Sequence, residues 1–414
     1  MAPRVAAALT PLLGGPVPVR LRAWDGSEAG PGDAPQVHLR SPRALRRLLW
    51  HPGELGAAQA YVTGELDVGG DLADALAHVR HEMATRRLRP PLRNPAAVRD
   101  LLALAKDVGA LGRRPPPPAT QAALRGRLHS LRRDRQAISH HYDQSTRLFE
   151  LLLDPSMAYS CGYWADGGDS ADTGPHAAGS GLAGAQRAKL DLVCRKLGIG
   201  PGSRLLDVGC GWGSLSLHAA EHVGAHVTGV TIAEEQRRFV QHRVDERGLS
   251  DRVEVRLQDY RDVTGGPFDA VASLEMGEHV GERNYLAYVR ALHDNVRPGG
   301  RVLVQQMSRR GRHPGGGPFI EAFIAPDMHM RPVGRTVDLI ERGGLEVSGV
   351  VAMGPHYVRT IRAWEDNLAA RWQEVVTLVG EESARVWRLY LAGGRLAFAE
   401  GRMDVHQVLA QRRG

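Results

Sequence analysis

The chain has 414 residues, 43% of them hydrophobic, and a formal charge of +7. That length suits two domains of about 100–200 residues each, and no run approaches the roughly 18 consecutive apolar residues that a membrane-spanning helix needs. Prolines at Pro11 and Pro16 interrupt the Ala/Leu-rich start, so the expected location is the cytoplasm. Cys161, Cys194 and Cys210 are scattered without CxxC spacing, which suggests neither a disulfide framework nor a zinc site. The positive charge is almost wholly arginine, since lysine occurs only at Lys106, Lys189 and Lys196.

Taken in order, "VPVRLRAWDGSEAG" alternates apolar positions into Asp25-Gly26 and predicts a hairpin. "SPRALRRLLWHPGELGAAQAYVTGELDV" predicts two short helices. Two arginine clusters follow, Arg86, Arg87, Arg89 and Arg93, then Arg125, Arg127, Arg132, Arg133 and Arg135. Between them lies "GRRPPPPAT", whose Pro115 to Pro118 favour an extended linker. The expected organisation is an accessory, lipid- or membrane-associating domain over 1–112, a linker over 113–127 and a catalytic domain over 128–414. A basic cluster is ordinarily a solvated face; an anionic membrane surface is the functional alternative. Nucleic acid is disfavoured, because no aromatic residues interleave with the arginines.

Beyond the linker, strands "SRLLDV", "HVTGVT", "RVEVRL", "FDAVAS" and "RVLVQQM" alternate with helices starting near Trp212, near Glu234 and over Tyr285 to Asn295. This alternation predicts an α/β fold with a mostly parallel, doubly wound sheet. Gly209, Gly211 and Gly213 fall where the first strand turns into a helix, the place where such folds bind ligands against bare backbone. GxGxG by itself fits nucleotide, flavin or S-adenosylmethionine. A dinucleotide is disfavoured, since the next strand ends in Val230-Thr231-Ile232 without the expected acid, and Glu234 and Glu235 suit the first turn of a helix.

Together, "LLDVGCGWGSLSLHAA", "VTGVTIAEEQ", "QDYRDV" and "EHVG" resemble the cyclopropane-fatty-acid synthase family of S-adenosylmethionine-dependent methyltransferases. The likeness continues in "HYDQSTRLFELLLDPSMAYSCGYW", "HYVRTIRAW" and "RVWRLYLAGGRLAFAEGRMDVHQVLAQR". It implies a class I methyltransferase, Rossmann-like, with a smaller N-terminal accessory domain. It also implies a cofactor site in which Asp207, Gly209 and Gly211 face the amino-acid moiety, with Tyr142 and Ser160 as lids. Thr231 and Gln236 match the ribose side, and Asp259 with Tyr260 the turn beside the adenine.

A sulfonium methyl is already electrophilic, so a carbon-carbon double bond held in line can attack it without a nucleophilic side chain. The protein must then shelter a carbocation and remove one proton. Aromatic faces and carboxylates serve the first need, which gives Tyr163, Trp164, Glu278 and Tyr357 a physical role. In the resembling family a bicarbonate ion is the base, held by cysteine, glutamate, histidine and tyrosine. Cys161, Glu278 and Tyr357 match three of these, but Gln305 stands where histidine is common and Gly277 where phenylalanine is. Gln305 can donate a hydrogen bond but cannot titrate, so the base is either bicarbonate held differently or a carboxylate, Glu275 or Glu278. Glu275 also reads as a helix-entry or cofactor-side carboxylate, and His279 as a structural neighbour.

"PFIEAFIAPDMHMRP" resembles the branch of the family that makes methyl-branched (tuberculostearic-type) acids through a methylene-branched chain. The expected product is therefore methylene-branched, with a cyclopropane as the alternative. A saturated branch would need a separate reductase as partner, for no second dinucleotide fingerprint is present. The expected substrate is an unsaturated phospholipid, met by a peripheral enzyme at the inner face of the cell membrane; self-association is left open. A small-molecule methyltransferase and a catalytically lapsed lipid-binding protein remain the readings from other classes.

Overall fold

The computed structural model describes residues 1–86, 95–122, 146–165, 181–311 and 315–414. By their contacts they form two compact units, Met1–Gln121 with Gly380–Leu396, and Ala122–Val379 with Ala397–Gly414.

The first unit contains a four-stranded sheet: β1 (Arg20–Ala23), β2 (Glu28–Ala29), β3 (Gln36–Leu39) and β4 (Leu66–Val68), in the order β2-β1-β3-β4. β1 and β2 form the expected antiparallel hairpin, with Leu21 opposite Ala29 and a turn at Gly26, whose φ of 79° suits glycine. The two short helices also form, at Pro42–Trp50 and Glu54–Val62. Gly380–Leu396, which sequence reading assigns to the catalytic domain, packs here instead. The long helix Trp372–Ala399 breaks at Gly380, where φ is 82°. Beyond the break, buried Arg385 donates to the Tyr61 carbonyl at 2.6 Å, lies over the Tyr61 ring and pairs with Asp67.

The second unit is built on a seven-stranded sheet. Its strands are β5 (Arg204–Val208), β6 (His226–Thr231), β7 (Val253–Leu257), β8 (Phe268–Leu274), β9 (Val296–Arg309), β10 (Leu345–Ala352) and β11 (Met403–Arg412). The order is β10-β11-β9-β8-β5-β6-β7, parallel from β9 through β7, with β11 antiparallel between β9 and β10. The five expected strands are the parallel ones. Alternate residues enter opposite cores: Leu205, Val227 and Ala270 pack with helices Leu182–Leu197 and Glu234–Glu246, while Leu206, Val230 and Val271 pack with Tyr285–Asn295 and Val333–Arg342. Both faces are therefore covered, and the carboxyl ends of β5, β6 and β8 open toward one cleft. Among the described residues no helix is long and apolar enough to cross a membrane.

Candidate active site

The cleft begins at the end of β5. Gly209 and Cys210 both donate backbone N–H bonds to the Val230 carbonyl, at 2.9 and 3.0 Å, which ties the turn to β6. Each of the three glycines has positive φ, for different reasons. A Cβ on Gly209 would stand 2.8 Å from the Met276 side chain and one on Gly213 2.7 Å from Val240, whereas above Gly211 there is open space. Gly211 thus leaves bare backbone facing the cleft.

Ser160, Asp207, Gly209, Gly211, Thr231, Gln236, Asp259 and Tyr260 all line this one cleft, together with Glu275. Tyr142 lies outside the described residues. Asp207 is buried and accepts a hydrogen bond from Ser216 at 2.8 Å; burial outweighs that bond and raises its pKa to about 6. The Thr231 hydroxyl donates to Gln236 Oε1 at 2.8 Å, which fixes the carbonyl end of that amide. Asp259 caps a short turn by accepting from the Arg261 N–H at 3.0 Å and pairs with the Arg261 guanidinium at 2.7 Å. The same guanidinium lies over the Tyr260 ring.

Deeper in, the site converges on Glu275 rather than Glu278. Glu275 Oε1 accepts from the Cys161 backbone N–H at 2.9 Å and from Gln305 Nε2 at 2.7 Å. Its Oε2 accepts from the Tyr357 hydroxyl at 2.7 Å. Burial pushes the Glu275 carboxyl above its ordinary pKa, against these three bonds. Cys161 therefore contributes its backbone; its thiol faces the Gly162 and Met353 carbonyls, and burial drives the thiol pKa well up, so it is no thiolate. Glu278 is fully buried, whereas Glu275 is half-buried; the Glu278 Oε1 accepts from the Met307 N–H at 2.5 Å and its Oε2 has no hydrogen-bond partner among the described residues. Burial, with the neighbouring Glu275, raises its pKa to about 8, so it is mainly protonated at neutral pH. His279 lines the cleft and is neutral, burial holding its pKa near 4.

The segment carrying Cys161 is held on the helix Gly354–Ala370. Gly162 N–H and Trp164 Nε1 both donate to Thr360 Oγ1, at 3.1 and 3.0 Å, and the Tyr163 ring packs 4.8 Å from His356. Tyr357, from the same helix, packs 4.6 Å from Phe398. Of these aromatic residues, Tyr357 reaches the carboxylate.

Sequence reasoning missed Lys189. It is fully buried on the helix Leu182–Leu197 and donates from Nζ to Ser160 Oγ at 2.9 Å, facing Glu275, Asp154, Cys161 and Asp207. Being one of only three lysines in an arginine-rich chain is the signal that could have singled it out.

Residues 129–408 match the mycolic acid cyclopropane synthetase family. The chain belongs to that family. Its membership makes this an S-adenosylmethionine-dependent methyltransferase of lipids, as the resemblance implied. A probable fatty acid methyltransferase of Mycobacterium tuberculosis is 38% identical over 407 residues, 95% of this chain and 91% of that one. The tuberculostearic acid methyltransferase of the same organism is 33% identical over 96% of this chain and 88% of its own. Among solved structures, a mycolic acid cyclopropane synthase complexed with SAH and CTAB is 30% identical, with a TM-score of 0.60 over 67% of this family member and 98% of that chain.

Proposed function

We propose that this enzyme transfers a methyl group to the double bond of an unsaturated phospholipid acyl chain and leaves a methylene branch. The observation that carries the reading is the position of Glu275, which lines the ligand cleft on one side and receives Tyr357 and Gln305 on the other. A methyl donor in the cleft and an acyl chain beside the aromatic residues would meet there.

The residues fit S-adenosylmethionine. The open backbone at Gly211 can carry its amino-acid end, and Gln236, its carbonyl fixed by Thr231, has amide hydrogens to offer a ribose hydroxyl. Ser160 and Asp207 lie toward the amino-acid end, and Tyr260 and Asp259 toward the adenine. When bound, the cofactor supplies an electrophilic methyl group. Tyr163, Trp164 and Tyr357 then shield the positive charge on the alkyl chain from water, and the Glu275 carboxylate balances it.

Methylene and cyclopropane products share the first step and differ in how the proton leaves. The likeness to a tuberculostearic acid methyltransferase favours the methylene branch, and a separate reductase would saturate it. The arginine clusters favour work at an anionic lipid surface, each contact contributing about 1 kcal/mol; most of them lie outside the described residues. The test is incubation with oleoyl phospholipid and 13C-methyl cofactor. The two products have the same mass, so proton spectra decide: vinylidene signals support the proposal, and upfield ring signals mean a cyclopropane. No label in any acyl chain would refute lipid methylation.

A further inference from the structure

We infer that Glu275 is the proton acceptor of this reaction, its own carboxylate standing where the resembling family holds a bicarbonate ion. The inference rests on the methyl transfer proposed above. Its ground is the geometry of three donors. The Cys161 N–H, the Gln305 amide and the Tyr357 hydroxyl come from three separate parts of the chain and meet on one carboxylate, at 2.9, 2.7 and 2.7 Å. Cys161, Gln305 and Tyr357 are three of the four positions at which the family holds its anion. Here a tethered anion already takes their hydrogen bonds.

The donors are fixed in that direction. Gln305 Oε1 accepts from Gln407 Nε2 at 2.9 Å, and Gln407 Oε1 accepts from Lys196 Nζ at 2.7 Å. A lysine has no acceptor, so the chain of amides is polarised, and Gln305 can present only its N–H2 to Glu275. A carboxylate has the same planar O–C–O edge as bicarbonate, and a second anion beside it would meet like charge. The backbone adds an independent mark. Glu275 has φ of 53°, in the left-handed region, although it is not glycine. Its own N–H donates to the Gln305 carbonyl at 2.7 Å, which holds the turn. On backbone grounds alone this position suits glycine, so the carboxylate sits there at a cost of about 1–2 kcal/mol. Glu278, the family-matched alternative, meets none of these three donors: its Oε1 takes the Met307 N–H and its Oε2 has no hydrogen-bond partner among the described residues.

The step balances. The alkene π pair bonds the methyl carbon as the carbon–sulfur bond breaks, its electrons remaining on sulfur, and the positive charge falls on the neighbouring chain carbon. A hydride shift moves the charge to the methyl-bearing carbon. A C–H bond of the new methyl then breaks, its electron pair forms the exocyclic double bond, and the proton passes to Glu275 and later to water. Ring closure would use the same acceptor without the hydride shift.

The test uses the full-length enzyme in carbonate-depleted buffer. Wild type should transfer methyl groups at a rate that added bicarbonate leaves unchanged. Glu275→Gln should lose about 100-fold or more, the scale of a lost general base, with no recovery on adding bicarbonate. Glu275→Gly suits the backbone and opens the space among the three donors, so bicarbonate should restore it at least tenfold. A several-fold stimulation of wild type, or near-normal turnover in Glu275→Gln, would overturn the inference while leaving lipid methylation intact. A readout independent of turnover is 13C-bicarbonate binding by NMR, expected in Glu275→Gly and absent in wild type; binding to wild type that Tyr357→Phe abolishes would overturn the inference. Failure of wild type to methylate any unsaturated lipid would strike the proposed function, and the binding experiment would still decide the anion site.

Discussion

The Tyr357 hydroxyl donates to Glu275 Oε2 at 2.7 Å, joining the helix Gly354–Ala370 to the turn after β8. That bond stabilises the ionised carboxylate and so opposes the upward push of burial. Lys189 also favours the ionised form, whereas Glu278 opposes it when ionised. Tyr357→Phe should therefore raise the Glu275 pKa. A base is lost as pH falls through its pKa, so the acid limb of the kcat/KM profile should move to higher pH, with a loss of about tenfold near neutrality. A uniformly lowered profile with an unmoved limb would mean that Tyr357 acts by packing alone.

Gly211 and Gly213 separate ligand binding from folding. Gly211→Val introduces a side chain into open space in the cleft, with only the strain of a positive φ, about 1–2 kcal/mol. Cofactor affinity by calorimetry should fall at least tenfold while the protein remains folded. Gly213→Val instead drives its side chain against Val240 in the core and should lower the Tm markedly. Equal affinity in a folded Gly211→Val would remove the glycine turn from the cofactor site.

Much of this arrangement was legible because it is local. Short apolar runs alternating with helical patterns marked β5 through β9, and the glycine turn marked the cleft, since both depend on neighbours in sequence. β10 and β11 were not foreseen. β11 pairs antiparallel between β9 and β10, and its place follows from long-range register, as with Gln407 opposite Gln305. The same limit explains the shift of emphasis from Glu278 to Glu275. Motif matching points to Glu278, but a three-residue displacement on a turn with positive φ decides which carboxylate meets Cys161 and Tyr357. Lys189 was invisible because its importance lies in what surrounds it.

Glu278 should make stability depend on pH. Its carboxyl has a pKa of about 8 in the fold, raised chiefly by burial, against about 4.3 in an unfolded chain. The folded state therefore holds the extra proton, and its stabilising contribution is present below about pH 4.3 and lost as pH rises toward 8. Glu278→Gln resembles the protonated form and can still accept from Met307. Its Tm relative to wild type should rise progressively across that window, corresponding to several kcal/mol at most. A constant Tm difference from pH 5 to 9 would show that this carboxyl does not titrate differently on folding.

The arginine clusters give a test of lipid association. Replacing Arg125, Arg127, Arg132 and Arg133 with glutamine should weaken binding to anionic phosphatidylglycerol vesicles and flatten its salt dependence. Methylation of a detergent-dispersed lipid should be nearly unchanged. An unaltered vesicle partition would mean that these arginines are an ordinary solvated surface.

Lys189 links the two halves of the site. Its ammonium is fully buried and donates to Ser160 Oγ at 2.9 Å; because lysine offers no acceptor, the Ser160 hydroxyl accepts there and can turn its own hydrogen toward the cleft. The charge faces Glu275 and Asp207 and favours the ionised form of both. Burial lowers the Lys189 pKa, and those carboxylates partly restore it. Lys189→Met keeps the length of the side chain and removes both effects. Cofactor affinity should drop about tenfold through the disoriented Ser160, and the acid limb of the pH profile should move upward as Glu275 becomes harder to ionise. Ser160→Ala should reproduce the loss of affinity and leave the limb in place, since it keeps the ammonium. If Lys189→Met and Ser160→Ala give the same pH profile, the lysine acts only by holding the serine, and its charge does not reach the base.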